Sequence, residues 1–441
     1  MTSSSSMSPD PAGDSAPGQL ADGNLAAAGL SRDHALARDA DDPLASCRDM
    51  FTLPDDVIYL DGNSLGPLPK GVAARVAATV DTEWGQGLIR SWNAAGWADM
   101  PRSTGAKLAR LIGADSDNVV VADSTSVNLF KVLSAALALR PDRQMIVTET
   151  QNFPTDNYIA EGVIRQCGDR HQLLHIDNAA DIPAALDDRV AVLMLTHVSY
   201  RTGAMHDMKA LTKAAHDAGA LVIWDLAHSA GAMPVDLAGC DVDFAVGCGY
   251  KYLNGGPGAP AFVYVAPRLL GHLHQPLSGW FAHQDPFAFS PHYAAATDIN
   301  QFTCGTPPML SLVALDAALD VWDGVDMAMV RAKSEALTDY FITLVEARCS
   351  GHGLTLVSPR TAADRGSQVS FSHETGGYAM ISALIADGVI GDFRAPEILR
   401  FGFTPLYTRF VDVWDAVDRL AVILSERRWD TPAFHTRKAV T

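Results

Sequence analysis

Two short runs near the middle of the chain, Val190 to Leu195 (VAVLML) and Ala220 to Trp224 (ALVIW), carry an apolar residue at every position. A strand with one wet face alternates apolar and polar side chains, because successive Cβ atoms point to opposite faces. Unbroken apolar runs of this length predict central strands of a parallel sheet, covered on both faces. Two further β-rich runs, Asn118 to Ala122 and Gln144 to Thr148, precede them, and helical stretches such as Gly71 to Trp84 belong to the same alternation. Strands separated by helix-length segments predict βαβ units and an α/β fold with a mainly parallel sheet flanked by helices. Phe244 to Cys248 and Ala261 to Val265 flank a Gly/Pro-rich loop and predict two neighbouring strands.

After Pro308 the pattern changes. Helical runs from Leu310 to Trp322 and Met327 to Arg348 lead into Leu354 to Val357, Gln368 to Phe371, Tyr378 to Asp387 and Ile398 to Phe403, which predicts a smaller α+β domain. The expected division is a disordered tail at 1–24, an N-terminal segment at 25–70 packing with the small domain, a large domain at 71–308, the small domain at 309–430, and a tail at 431–441. The first tail is built from Ser, Pro, Gly, Asp and Ala, too little apolar surface to offset the entropy of ordering. The loop from Gly279 to Thr306 is rich in aromatics, His and Pro, and loops of that length are often functional.

Charge narrows the partners. With 51 acidic and 33 basic residues the formal charge is −18, which repels polyanions and anionic membranes while leaving room for a local pocket that holds a small anion. No nucleic-acid partner is expected. No uncharged apolar run reaches the roughly 18–20 residues of a membrane helix, and the first basic residue, Arg32, follows the short apolar stretch Leu25 to Leu30, unlike a secretory signal. A cytoplasmic location is expected. The six cysteines form no CxxC pair and no zinc-ligand spacing, so neither a disulfide framework nor a metal is expected.

Chemistry concentrates at strand ends. Asp225 closes the run ending at Trp224, with His228 three residues on, and Lys251 stands between Tyr250 and Tyr252 just before Gly255-Gly256-Pro257-Gly258. Most acids at strand ends are turn formers and most lysines are solvated. Together, an acid at the carboxyl edge of a parallel sheet and a lysine after a following strand suit pyridoxal phosphate: the lysine forms a Schiff base and the carboxylate pairs with the ring nitrogen. The cofactor's phosphate needs N–H and hydroxyl donors at a helix start. Ser124, Thr125 and Ser126, directly after the strand at Asn118 to Ala122, supply them, although a simple N-cap cluster reads the same way. In the segment Asn152 to Tyr158, Phe153 is placed to lie on a ring and Asp156 to reach its polar edge; a turn with a core Phe is the plainer alternative.

These segments resemble the fold-type-I pyridoxal-phosphate enzymes, and among them the kynureninases, from about Leu44 to Leu424. The resemblance rests on Tyr59-Leu60-Asp61-Gly62-Asn63-Ser64-Leu65-Gly66, Phe153-Pro154-Thr155-Asp156, Trp224-Asp225-Leu226-Ala227-His228, Tyr250-Lys251-Tyr252-Leu253-Asn254 and Leu399-Arg400-Phe401-Gly402, in this order. The extension before Leu25 departs from it. The resemblance implies a large domain with a seven-stranded-type sheet and a smaller C-terminal domain. It implies that Lys251 bonds the cofactor and shuttles the α-proton, that Asp225 pairs with the ring nitrogen, and that His228 packs beside the ring. Thr125, Ser126 and Tyr250 would hold the phosphate, Phe153 would stack, and Asp156 and Thr196 would sit near the ring edge. Trp280 and Thr306 would reach the phosphate from the long loop, in a homodimer. Arg400 would take the substrate carboxylate through a fork that lysine cannot reproduce; Ser64, Asn63 and Trp92 are weaker substrate candidates.

The reaction implied is hydrolysis of L-kynurenine, or its 3-hydroxy form, to anthranilate or 3-hydroxyanthranilate and L-alanine, in tryptophan catabolism and NAD biosynthesis. Tyr250 would give the proton that Cβ takes up. A cysteine desulfurase-like lyase is the nearest rival, but no cysteine occurs between Cys349 and Arg400 to act as its nucleophile. A non-catalytic sensor on this fold would not need Lys251 and Arg400, and both are present. The basic clusters Arg427-Arg428 and Arg437-Lys438 are too small for a DNA-binding module. The one dense glycine cluster lacks the GxGxxG spacing of a nicotinamide site.

Overall fold

The computed structural model describes residues 29–437; the tail expected at 1–24 lies outside them. Seven strands, β1 (Val119–Val121), β2 (Met145–Glu149), β3 (Gln172–Ile176), β4 (Val190–Thr196), β5 (Leu221–Asp225), β6 (Phe244–Gly247) and β7 (Phe262–Val265), form one sheet in the order β1-β7-β6-β5-β4-β2-β3. β7 runs antiparallel to both its neighbours, and the other pairings are parallel. Five helices matter below: α1 (Arg32–Ala40), α2 (Thr125–Ala138), α3 (Pro154–Gln166), α4 (Met327–Arg348) and α5 (Phe410–Ser425).

The apolar runs of β4 and β5 are explained by cover on both faces. Leu193 and Leu195 enter one apolar cluster with Val222 and Trp224; Val192 and Met194 enter another with Leu221 and Ile223. Every residue of both strands is buried, and burying one such side chain stabilises by about 1.5–3 kcal/mol. The edge strand β3 was not among the runs anticipated. Its sequence, Gln-Leu-Leu-His-Ile, is half-exposed and pairs only with β2, so it carries neither a continuous apolar run nor a clean alternation. The stretch expected as one helix from Gly71 to Trp84 is α-helical over Val72–Ala78 and widens into a π-helical turn over Thr79–Gly87, leaving Trp84, Leu88 and Ile89 exposed.

A second, antiparallel sheet of β8 (Thr355–Leu356), β9 (Gln368–Ser372), β10 (Asp392–Arg394) and β11 (Ile398–Gly402), in the order β8-β9-β11-β10, has its own apolar cluster with α4 and α5. The N-terminal segment is tied to this part of the molecule. Asp39 of α1 accepts hydrogen bonds from the backbone N–H groups of Phe410 (2.6 Å) and Val411 (2.9 Å), so a carboxylate from one end of the chain caps a helix at the other. Lys333 and Asp42 form a buried pair at 2.6 Å, and Ile58–Tyr59 pairs in parallel with Val389–Ile390. Near the other terminus Pro432–His435 forms a short helix. Among the described residues no helix is long and apolar enough to cross a membrane.

Candidate active site

Five chain segments leave the large sheet at one edge and converge. β4 ends at Thr196 and β5 at Asp225, side by side in register. β1 leads through Asp123 into the N-terminus of α2, β2 leads to Phe153 and α3, and the loop after β6 carries Tyr250 and Lys251. Between them lies a cavity lined by Thr125, Ser126, Phe153, Thr196, Asp225, His228, Tyr250 and Lys251, all anticipated from the sequence. Close approach of backbones fixes the lysine loop: the Gly66 N–H donates to the Tyr250 carbonyl at 2.8 Å, and a Cβ at Gly66 would lie 2.4 Å from the Lys251 carbonyl oxygen. Beyond the lysine, Asn254 turns the chain in the left-handed region at φ 59°.

The floor of the cavity is a set of buried charges. Lys251 Nζ lies 3.0 Å from His228 Nε2 and 5.7 Å from the centre of the Phe153 ring. Burial, then the positive charges of Lys251, Arg400 and Arg394, push the His228 imidazole well below its usual range, so it is neutral, and its Nδ1 has no partner. Asp225 Oδ1 accepts the Ala227 N–H at 2.9 Å; burial raises this carboxyl while Lys251 and the Ala227 N–H oppose the rise. Asp156 is fully buried as well. Burial and the charge of Asp225 raise Asp156 strongly, and Lys251 and the nearby Asn152 offset only part of this. Asn152 stands close without a well-formed hydrogen bond, so both Asp156 oxygens are left without a partner. Burial also raises the Tyr250 phenol, which therefore stays protonated and able to donate.

Two buried carboxylates beside one ammonium form a place that favours a further cation or N–H donor. At the other end, α2 opens with hydroxyl residues and no acid in its first turn, a setting for an anion. Ser126 Oγ and Thr155 Oγ1 lie 3.0 Å apart there. Pyridoxal phosphate carries a basic ring nitrogen, an aldehyde that a lysine amine can take and a phosphate, and the residues present fit all three. Asp156 and Asp225 would face the ring nitrogen and its edge, Lys251 the aldehyde, and Thr125, Ser126 and the α2 N–H groups the phosphate.

The other anticipated residues lie differently. Arg400 is buried, and its fork is engaged: Nε donates to Asp392 Oδ1 at 2.8 Å, Nη2 donates to Asp392 Oδ2 and, at 2.9 Å, to Ser64 Oγ, and Nη1 donates to the Tyr200 carbonyl at 2.6 Å. Ser64 thus touches the arginine. Asn63 is buried against Gly402 with both amide atoms unpartnered, away from the cavity lining. Trp92 packs edge-on against Trp97 and tilted on Phe281, also outside the lining. Trp280 and Thr306 are exposed on the long loop and do not line the cavity within one chain.

Sequence reasoning missed Tyr200, Cys248, Asp392 and Arg394. Tyr200 lines the cavity with its ring edge-on to Phe153 at 5.1 Å. Asp392 and Arg394 alternate along Asp-Phe-Arg, and that spacing was the available signal, but their meaning depends on the pairing of Asp392 with Arg400 across β10 and β11. Cys248 is a buried wall residue whose thiol burial pushes up, and burial pushes Cys349 up to about 12. Neither has the depressed pKa of a nucleophilic cysteine.

Comparison with known proteins places this site in a family. The family model for the kynureninase C-terminal domain matches residues 330–420, and that for the DegT/DnrJ/EryC1/StrS aminotransferase family matches residues 101–240. Curated kynureninases of Burkholderia mallei (strain SAVP1) and of Pseudomonas fluorescens are each 56% identical over 415 residues, covering 93% of this chain and 100% of the relative. Among solved structures, the apo cysteine desulfurase of Thermococcus onnurineus NA1 superimposes with a TM-score of 0.74 at 19% identity, covering 86% of this chain and 98% of that one. A C-DES variant with glycine covalently linked to its PLP cofactor gives 0.73 at 17% identity, covering 85% and 98%. The distant structures share the fold, while identity across nearly the whole length decides the relationship: this chain belongs to the kynureninase family.

Proposed function

We propose that this protein hydrolyses L-kynurenine to anthranilate and L-alanine, with pyridoxal phosphate as cofactor. The observation that carries the reading is the 56% identity to kynureninases over 93% of the chain, supported by a cavity whose charges suit that cofactor. When bound, pyridoxal phosphate supplies a sink for electrons from the substrate's α-carbon. The protein's part is to orient groups and place protons. Lys251 takes the proton from the α-carbon and holds it within the cavity, with the neutral His228 as acceptor beside its amine. Asp225 and Asp156 stand together as the buried carboxyls that would face the ring nitrogen and its edge, while Phe153 and Tyr200 wall the cavity. One water adds to the γ-carbonyl carbon and the Cβ–Cγ bond breaks. The hydroxyl stays with the aryl acid, the Tyr250 phenol gives Cβ its third hydrogen and is restored by the proton the water leaves behind, and Lys251 returns the held proton to the α-carbon to complete alanine.

Several finer readings belong with this one. The chain divides at about 70 and 308, with the N-terminal segment docked on the C-terminal unit. Two copies assemble as a homodimer, for which the support is two sets of exposed apolar side chains, Trp280, Phe287 and Phe289 on the long loop and Trp84, Leu88 and Ile89; light scattering should give twice the chain mass. The enzyme acts in the cytoplasm, in tryptophan catabolism that leads to NAD, and the ring-hydroxylated substrate is handled by the same residues. The test is a product assay. Cofactor-loaded protein given kynurenine should release anthranilate and alanine in equal amounts, and given cysteine should release no sulfide. Sulfide without anthranilate would place the chain with the desulfurases, and neither product would favour a non-catalytic role.

A further inference from the structure

Beside the cavity, and joined to its lining residue Tyr200 by the hydrogen bond from Arg400, the second sheet carries more charge than one arginine accounts for. Asp392 and Arg394 stand two residues apart on β10, hence on one face, and Asp392 faces Arg400 in the register of β10 with β11. Ser64 ties the three together: its Oγ donates to Asp392 Oδ2 at 2.7 Å and accepts from Arg400 Nη2 at 2.9 Å and Arg394 Nη2 at 3.2 Å. Arg394 Nη2 also donates to Asp392 Oδ2 at 2.7 Å.

A guanidinium offers five N–H groups in a fixed fork. Arg400 has four of them on Asp392, Ser64 and the Tyr200 carbonyl, which leaves one. A carboxylate arriving at Arg400 therefore finds no open fork. Arg394 is different. It commits only Nη2; its Nε is buried without a partner, and its Nη1 donates to no protein atom among the described residues. Its side chain is 38% exposed, against 1% for Arg400, so it can be reached. Its charge is felt in the cavity, at the His228 imidazole and the Tyr250 phenol. The charge balance also leaves room for an anion. Two guanidiniums face Asp392, while burial and Asp392 push the remaining carboxyl, Asp61, up to about 7, so that it is partly neutral at neutral pH.

We propose that Arg394 is the second arm of the receptor for the substrate's α-carboxylate, completing beside Arg400 a two-guanidinium clamp on the shared Asp392–Ser64 frame. This rests on the amino-acid hydrolase reading above and adds a residue to it. Asp392 is then a positioning residue that aims both arginines, and the bound state is a balanced quartet of two guanidiniums and two carboxylates.

The test is a spectral titration of the cofactor-loaded protein with L-alanine, which has the carboxylate but no aryl ketone, and with L-alaninamide, which has the amine but no charge at that end. In Arg394→Gln the midpoint for L-alanine should rise about ten- to hundredfold, as for loss of one charge-assisted hydrogen bond, and the KM for kynurenine should rise by a similar factor with kcat changed much less. The L-alaninamide midpoint should stay within twofold of wild type. Arg394→Lys should recover only part of the loss, because an ammonium lacks the fork. An L-alanine midpoint within twofold of wild type in Arg394→Gln, or an equal loss with L-alaninamide, would overturn the clamp. A wild-type protein that answers neither probe and makes no anthranilate would overturn the hydrolase reading, and the clamp with it.

Discussion

Asp225 is a buried carboxyl that burial raises and Lys251 lowers, and in the proposed reaction it is the partner of the ring nitrogen. Asp225→Asn keeps the shape and the Ala227 N–H contact while removing the charge. Exchange of the α-proton of L-alanine in deuterated water, followed by NMR on cofactor-loaded protein, should slow by about two to four decades with cofactor still bound. Exchange at the wild-type rate would mean that the ring nitrogen has another partner. Lys251, Asp225, His228, Phe153, Thr125 and Ser126 were legible because each sits in a short contiguous motif at a strand end, and such motifs survive being read one segment at a time. Asp392 and Arg394 were not, since their role arises only when β10 is laid against β11. Trp92 and Asn63 do not line the cavity within one chain, and a motif read one segment at a time carries no information on that.

At the scale of the element, the central strands were readable because cover on both faces writes itself into the sequence as unbroken apolar runs. Cover on both faces should make the two faces equally sensitive to truncation. Leu193→Ala and Met194→Ala, which empty opposite clusters of β4, should each cost about 2–5 kcal/mol in urea unfolding. Leu173→Ala, in the half-buried edge strand β3, should cost clearly less than either. A large difference between Leu193 and Met194 would mean that one face of the sheet is less well covered than described. The same reasoning explains why β3 escaped notice: an edge strand with partial cover needs neither periodicity, so nothing in its five residues distinguishes it from a loop. The junction at Thr79, where an α-helix becomes a π-helical turn, was likewise invisible, since both forms accept the same helical residues.

At the scale of the whole molecule, fold and function separate. Desulfurases share this architecture at about a fifth identity, so the topology alone could not choose between the readings; the composition and spacing of a few segments, then identity over 93% of the chain, did. The large sheet and the changed character after Pro308 could be read from the sequence, whereas the cap that Asp39 places on α5 could not, because it joins opposite ends of the chain. Stability should depend on pH through His197, which is fully buried against Trp224 and held down to about 3 by burial, then by His206 and Arg331. The folded protein binds this proton less readily than the unfolded chain, so stability falls as pH drops from about 6.5 toward 3. The loss is about 1.4 kcal/mol per pH unit from this group. His197→Phe should flatten that decline between pH 6.5 and 4.5 in urea titrations, and an unchanged slope would assign the acid sensitivity elsewhere. Pyridoxal phosphate should be held covalently at Lys251, and borohydride reduction of the loaded protein followed by peptide mass mapping reads the attachment site itself. The reduced cofactor mass should appear on the peptide that contains Lys251; its appearance on the other buried lysine near the start of α2, Lys131, or on no lysine at all, would rule out a Schiff base at Lys251.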